Sequence, residues 1–275
     1  MPNPLKITTN YYQHFSADFS LPVPEHGFGG WKKTELEFAP DHTGIVVMHA
    51  WDCGTYQQFP GWHCAVPYIP RAADVAKRVF PELLETVRKS PLPLMHVVST
   101  AGYYKKYPGH KAAVDLAGPA PKGPEHVESD PLRNKLSEFK QANVFPGTAN
   151  LADIDKGFGR LDFDPHAKPL DNEYICEDGH QLLAVCKKLG VNHLIYAGFA
   201  IDGCLLISPG GMVDMNQRGV MCSAIRQAVV AIESKESAEN QFAKELALWR
   251  VALLFGFVFD ADDVIAALAR HGAEL

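Results

Sequence analysis

The sequence holds no uncharged apolar run long enough to span a bilayer, and its first thirty residues contain no apolar stretch of the kind a secretory leader carries. A membrane partner is therefore not expected, and the chain is expected in the cytoplasm. It also lacks any C-x-x-C pair. Its six cysteines, Cys53, Cys64, Cys176, Cys186, Cys204 and Cys222, read as reduced thiols, most of them small buried hydrophobes, rather than as a disulfide framework or a zinc module. Blocks of like charge are missing too: 26 Lys and Arg against 32 Asp and Glu give a formal charge of -6 and a pI near 6.0. Such a surface has no broad attraction for phosphate backbones, so nucleic acid is not expected as a partner either. What is present is 47% apolar residues over 275 positions, enough to fill the core of one large α/β domain.

Four short apolar runs read as strands: "GIVVMHA" (44–50), "LPLMHVVS" (92–99), "HLIYAGF" (193–199) and "GVMCSAI" (219–225). Their nearly continuous hydrophobicity suits parallel strands covered on both faces. Helical spacing occupies 70–90, 177–190 and 202–219, with Gly190 and Gly219 where C-terminal caps belong. This alternation predicts right-handed crossovers and a three-layer α/β/α sandwich around a mainly parallel, doubly wound sheet. The chain reads as a single domain, 1–275, with a long insertion at about 101–170 and a helical tail at about 236–275. In the tail, apolar residues follow helical spacing through Phe242, Leu246, Trp249 and Leu253, and a short last helix opens at Asp260 or Ala261. It is expected to pack on the sheet or on a neighbouring subunit. The insertion is rich in Pro, Gly, Lys and Asp, with one helix around "PLRNKLSEFKQANVF". Its length suits a functional loop, an oligomer contact or a lid.

Ligands of such sheets bind beyond the carboxyl ends of the strands. The informative residue there is Cys204, in "AGFAIDGCLL" (197–206), which follows a strand and a Gly-containing turn and opens a helix. A helix N-terminus favours thiolate, and its free N–H groups can hold the oxyanion formed when that thiolate attacks a carbonyl.

The order of "GIVVMHAWD", "LMHVVST", "GHQLLAVCKKLGVNHLIYAGFAIDGCLL" and "RGVMCSAIRQAVVAIES" resembles the isochorismatase-like cysteine hydrolase superfamily over about residues 40–260. The most specific piece is "LGVNHLIYAGFAIDGCLL". The resemblance implies a Rossmann-like parallel sheet of about six strands, a homo-oligomer (dimer or tetramer) and action on a small amide or related C–N bond, without a cofactor. By position Cys204 matches the nucleophile. The Phe199–Ala200 peptide matches a cis bond, and the N–H groups of Ala200 and Cys204 match the oxyanion hole. His49 stands where the family has its activating Asp, and an imidazole can serve as a general base near neutral pH. Asp52 is the alternative base, or the group that orients His49. Counting back from the nucleophile strand places the family's Lys at Asp171, with Lys168 the nearest lysine and Lys105 and Lys106 as substitutes. The "WD" pair and the Tyr-Lys run resemble a divergent branch in which that Lys is not evident. In that branch Trp51, Tyr103 and Tyr104 could wall a pocket for a small-molecule substrate.

Nicotinamidases of the superfamily carry an Asp-x-His pair after the second strand, and "VVSTAGYYKK" has none, which disfavours that activity. His49, Asp52, Cys53, His63 and Cys64 include zinc-competent groups but match no standard module, so no metal is expected. Beside the hydrolase reading stands a degenerate member that binds a small metabolite or a protein partner without turnover.

Overall fold

The computed structural model describes residues 3–273. The four apolar runs form β3 (Thr43–Met48), β4 (Leu94–Val97), β6 (His193–Phe199) and β7 (Met221–Val230), joined by β5 (Tyr174–Cys176) and β8 (Val258–Phe259). These six strands run parallel in the order β8-β7-β6-β3-β4-β5, so the expected count holds for the parallel part. The sheet continues beyond it: β1 (Leu5–Gln13) and β2 (Gly30–Phe38) form an antiparallel pair, and β1 pairs antiparallel with β8. The whole sheet has eight strands.

Successive side chains of a strand point to opposite faces, which is why β3 feeds two cores. Val46 and Met48 pack with Leu182, Val185 and Leu248 on one face. Ile45 and Val47 pack with Phe80, Leu83 and Leu268 on the other. The helices Gly179–Leu189 and Phe242–Leu254 cover the first face, and Phe80–Arg88 and Ala261–Ala273 cover the second. These are the outer layers of a three-layer sandwich. Asp178 starts the 179–189 helix by accepting from the Gln181 N–H at 2.9 Å, and Gly190 ends it at φ 75°.

Several expectations need correction. The 70–90 helix is two, Ile69–Arg78 and Phe80–Arg88, because Pro81 suits the start of a helix but not its middle. The 202–219 helix is also two, Cys204–Ile207 and Met212–Gln217, interrupted at Pro209, Gly210 and Gly211. The tail packs on both faces of the sheet, and β8 inside it adds a strand; its first helix buries Ala247, Leu248 and Val251, while Phe242 is 62% exposed. Within 101–170 lie the α-helices Pro108–Ala117, Pro131–Asn143 and Leu151–Phe158, where one helix was expected. No helix among the described residues is long and apolar enough to cross a membrane.

Candidate active site

The carboxyl ends of β3, β4 and β6 deliver His49, Ser99 and the Cys204 corner to one edge of the sheet. The corner depends on Gly198. Its φ of +117° is open to glycine, and a Cβ there would lie 1.9 Å from the Met48 carbonyl oxygen of β3. The strand therefore passes hard against β3 just before the chain turns. The following Phe199–Ala200 peptide is cis, and the Ala200 carbonyl accepts from the N–H groups of Gly203 at 3.2 Å and Leu205 at 3.1 Å. Neither the Ala200 nor the Cys204 N–H donates to a protein acceptor among the described residues. Cys204 is half-buried and lines a cavity of about 350 Å³. The helix it opens is a single turn, too short to carry much of a macrodipole.

His49 lines the same cavity and is buried, its backbone at φ 52° with the N–H donating to the Val97 carbonyl at 3.0 Å. Its Nε2 shares a hydrogen bond with Ser99 Oγ at 3.1 Å, and its buried Nδ1 has no partner among the described residues. The ring stacks on Trp51 with centroids 4.9 Å apart. Burial pushes the imidazole down to about 4, so His49 is neutral at pH 7. This corrects the premise of a base poised near neutrality: the ring receives a proton during a reaction rather than holding one in the resting site.

Asp52 lines the cavity but does not orient His49. Its oxygens accept from the Gly54 N–H at 2.9 Å and the Arg160 guanidinium at 2.8 Å. Trp51 is a wall of the cavity, and its Nε1–H donates to the Tyr103 hydroxyl at 2.9 Å. Tyr103 and Tyr104 are not walls themselves. Tyr103 holds Trp51 from behind, and Tyr104 donates to Glu177 at 2.6 Å, beyond the end of β5. Lys168 lies away from the sulfur: its carbonyl accepts from Arg88 at 3.0 Å, near the amino end of β5, and Asp171 is exposed in the turn before that strand. The reason is topological, since residues leading into a parallel strand sit at the edge opposite the one where Cys204 emerges. Lys106 pairs with Asp162 at 2.7 Å, and among the described residues no lysine or arginine lines the cavity.

The five residues considered for zinc do not converge, and no metal-holding group of three His, Cys, Asp or Glu occurs among the described residues. His63 Nδ1 contacts the Phe59 carbonyl at 3.1 Å and Cys64 is exposed. Cys53 lines the cavity, its thiol pushed up to about 12 by burial and then by the Asp52 and Asp164 charges. It is held as a thiol.

Three cavity residues carry no signal in the sequence that points to a site. Asp164 is 8% exposed and caps the short turn Pro165–Ala167, with Oδ1 accepting from the His166 N–H at 2.8 Å and from its Nδ1 at 3.0 Å. The "DPH" run is legible only as a cap. Tyr68 brings a hydroxyl that burial first, and the Cys204 sulfur next, push above the ordinary tyrosine range. Phe158 reaches the cavity from the 151–158 helix of the insertion.

No family model matches the chain, and no curated protein matches it in sequence. The backbone is similar to solved isochorismatase-family and cysteine-hydrolase structures. An isochorismatase family protein of Burkholderia thailandensis is 16% identical, with 84% of this chain and 97% of that one covered at a TM-score of 0.49. A cysteine hydrolase of Pseudomonas syringae pv. phaseolicola is 13% identical, covering 85% and 95% at 0.47. An N-carbamoylsarcosine amidase of Thermoplasma acidophilum is 14% identical, covering 80% and 97% at 0.38. The strand order and the parallel register carry the fold assignment.

Proposed function

We propose that the chain is a cysteine hydrolase of small amides or related C–N bonds, with Cys204 as the nucleophile. The observation that carries this reading is a half-buried thiol facing an apolar cavity, with two unengaged backbone N–H groups, those of Ala200 and Cys204, at the same corner. In the proposed reaction the sulfur bonds to the carbonyl carbon as its proton passes to His49, and the carbonyl oxygen takes the two N–H bonds. The C–N bond then breaks, with the amine leaving on the proton from His49. Water hydrolyses the thioester to the acid and restores the thiol. Iodoacetamide at neutral pH is expected to label Cys204 faster than Cys53, whose thiol is held protonated; equal or absent labelling of Cys204 in folded protein would sink the reading. Turnover in a panel of amides and carbamates, lost in Cys204→Ser, is the second expected result.

One observation favours a binding protein instead: among the described residues no lysine or arginine lines the cavity to stabilise a thiolate. A panel that finds binding without turnover, unchanged in Cys204→Ser, selects that reading. Self-association belongs to the proposal through the resemblance of the 189–206 segment, and sedimentation velocity measures it.

A further inference from the structure

We propose that the cavity beside Cys204 takes a substrate with an apolar body and an ammonium group, and that Asp164 anchors the ammonium. The substrate role rests on the hydrolase reading of Cys204, whereas the binding preference does not. At about 350 Å³ the cavity is at the small end of ligand pockets, with room for one ring and a short chain. Its walls mix aliphatic side chains with six aromatic ones, Trp51, Trp62, Tyr68, Phe145, Phe158 and Phe199.

The charges around this space are unequal. Among the described residues two carboxylates line it, Asp52 and Asp164, and no lysine or arginine does. Asp52 is already answered by Arg160 at 2.8 Å and the Gly54 N–H at 2.9 Å. The Asp164 side chain is 11% exposed, and both hydrogen bonds it accepts, from the His166 backbone and ring, fall on Oδ1. Its Oδ2 has no hydrogen-bond partner among the described residues. That oxygen keeps contact with solvent on a residue that lines the cavity, so a cation that enters can pair with it directly, in a space where low-dielectric walls strengthen the attraction. The aromatic walls act in the same direction, because a ring face attracts a desolvated cation. An anionic substrate would meet Asp164 with no wall cation to offset the repulsion. A neutral substrate would fill the space and leave Oδ2 unanswered. The class that satisfies walls and carboxylate together is a small amide whose apolar body carries a primary or secondary amine.

The test uses three probes of one apolar body, phenethylamine, phenethyl alcohol and phenylacetate, titrated calorimetrically into the full-length Cys204→Ser protein at neutral pH. The amine is expected to bind on the order of ten-fold or more tighter than the alcohol, and phenylacetate more weakly than either. Asp164→Asn should bring the amine to within about two-fold of the alcohol. The proposal is overturned if the alcohol matches the amine, if none of the three binds, or if Asp164→Asn keeps the preference. Should Asp164→Asn not fold, the amine-to-alcohol ratio in the parent protein decides alone, and raised salt should shrink it. Amine preference with an unreactive Cys204 would remove the hydrolase reading and leave the cavity assignment standing; turnover of neutral amides without amine preference would do the reverse.

Discussion

Acidification is the perturbation that the buried histidines answer first. His49 is 4% exposed and held at about 4; His193, 6% exposed, stacked on Phe38 and bonded to Ser223 Oγ at 2.8 Å, is also held at about 4, both by burial. Unfolded, each ring titrates near 6.5. As pH falls below 6.5, the unfolded chain takes up protons that the native chain refuses, so stability drops until the native rings charge near 4. At about 1.4 kcal/mol for each pH unit separating the folded and unfolded titrations, each ring removes about 3 kcal/mol by that point. His96, enclosed beside Glu173, is lowered by burial and adds in the same direction. Together the losses rival the roughly 5–15 kcal/mol stability of a typical domain, so the protein should approach its unfolding midpoint near pH 4. His49→Asn isolates one contribution. Asparagine tolerates the left-handed backbone at position 49 and its amide can still meet Ser99. Urea unfolding followed by tryptophan fluorescence, from neutral pH down to about 4, should show a loss smaller by about 3 kcal/mol in the variant. Equal losses in the two proteins, or a His49 ring resonance titrating near 6.5, would refute the reasoning.

Ser99→Ala takes away the ring partner of His49 and should cost about 1–3 kcal/mol in chemical denaturation, with no change in the urea m-value. Glu173→Gln leaves Arg88 and His96 without the carboxylate that both contact, and should cost about 3–5 kcal/mol at neutral pH. Because Glu173 is held down at about 2, that difference should persist at about pH 5 and above and begin to fade below 4.5, as melts from neutral pH down to about 4 would show. Gly157→Ala would put a Cβ 2.2 Å from the Trp62 ring, so it should shift the tryptophan emission, weaken ligand binding in the cavity and cost about 1–3 kcal/mol; an unmoved spectrum and unchanged binding would count against that packing.

The strands that position the site were legible because they are runs of buried residues, unbroken by a polar side chain in Gly44–Met48 and Leu194–Phe199 and broken only by His96 in Leu94–Val98. Strands β5 and β8 were not, since three and two residues are too few to establish a period. The β1–β2 pair was hidden for another reason. Many of its positions face water, with lysine and glutamate among them, so its register comes from pairing, Leu5 with Phe38 through Gln13 with Gly30, rather than from hydrophobicity. Cys204 could be read because the apolar strand, turn and thiol are contiguous. The cation expected near it could not, because the chain between β4 and β5 has no periodic pattern to set its path. That path returns to β3, pairing Trp51 with Phe163 and joining the Asp164 N–H to the Ala50 carbonyl at 2.9 Å, before it descends to Lys168 at the opposite edge. Contacts this remote in sequence leave no local trace.

That return of the chain divides the site by origin. The sheet edge delivers Cys204 and His49, the groups that would make and break bonds, and Ser99, which holds the His49 ring. The 101–170 segment delivers Phe145, Phe158 and Asp164, which bound the space and fix its charge. The two sets meet at Trp51, stacked on His49 on one side and bridged to Phe163 on the other. A change in the segment can therefore alter which molecule enters without moving the sulfur, and a change at the sheet edge can abolish reaction without altering entry. Asp164→Asn and Cys204→Ser are the paired variants that separate these effects, the first acting on ligand preference and the second on turnover. A result in which Asp164→Asn also stopped Cys204 from reacting with iodoacetamide would join the two sets and break this division.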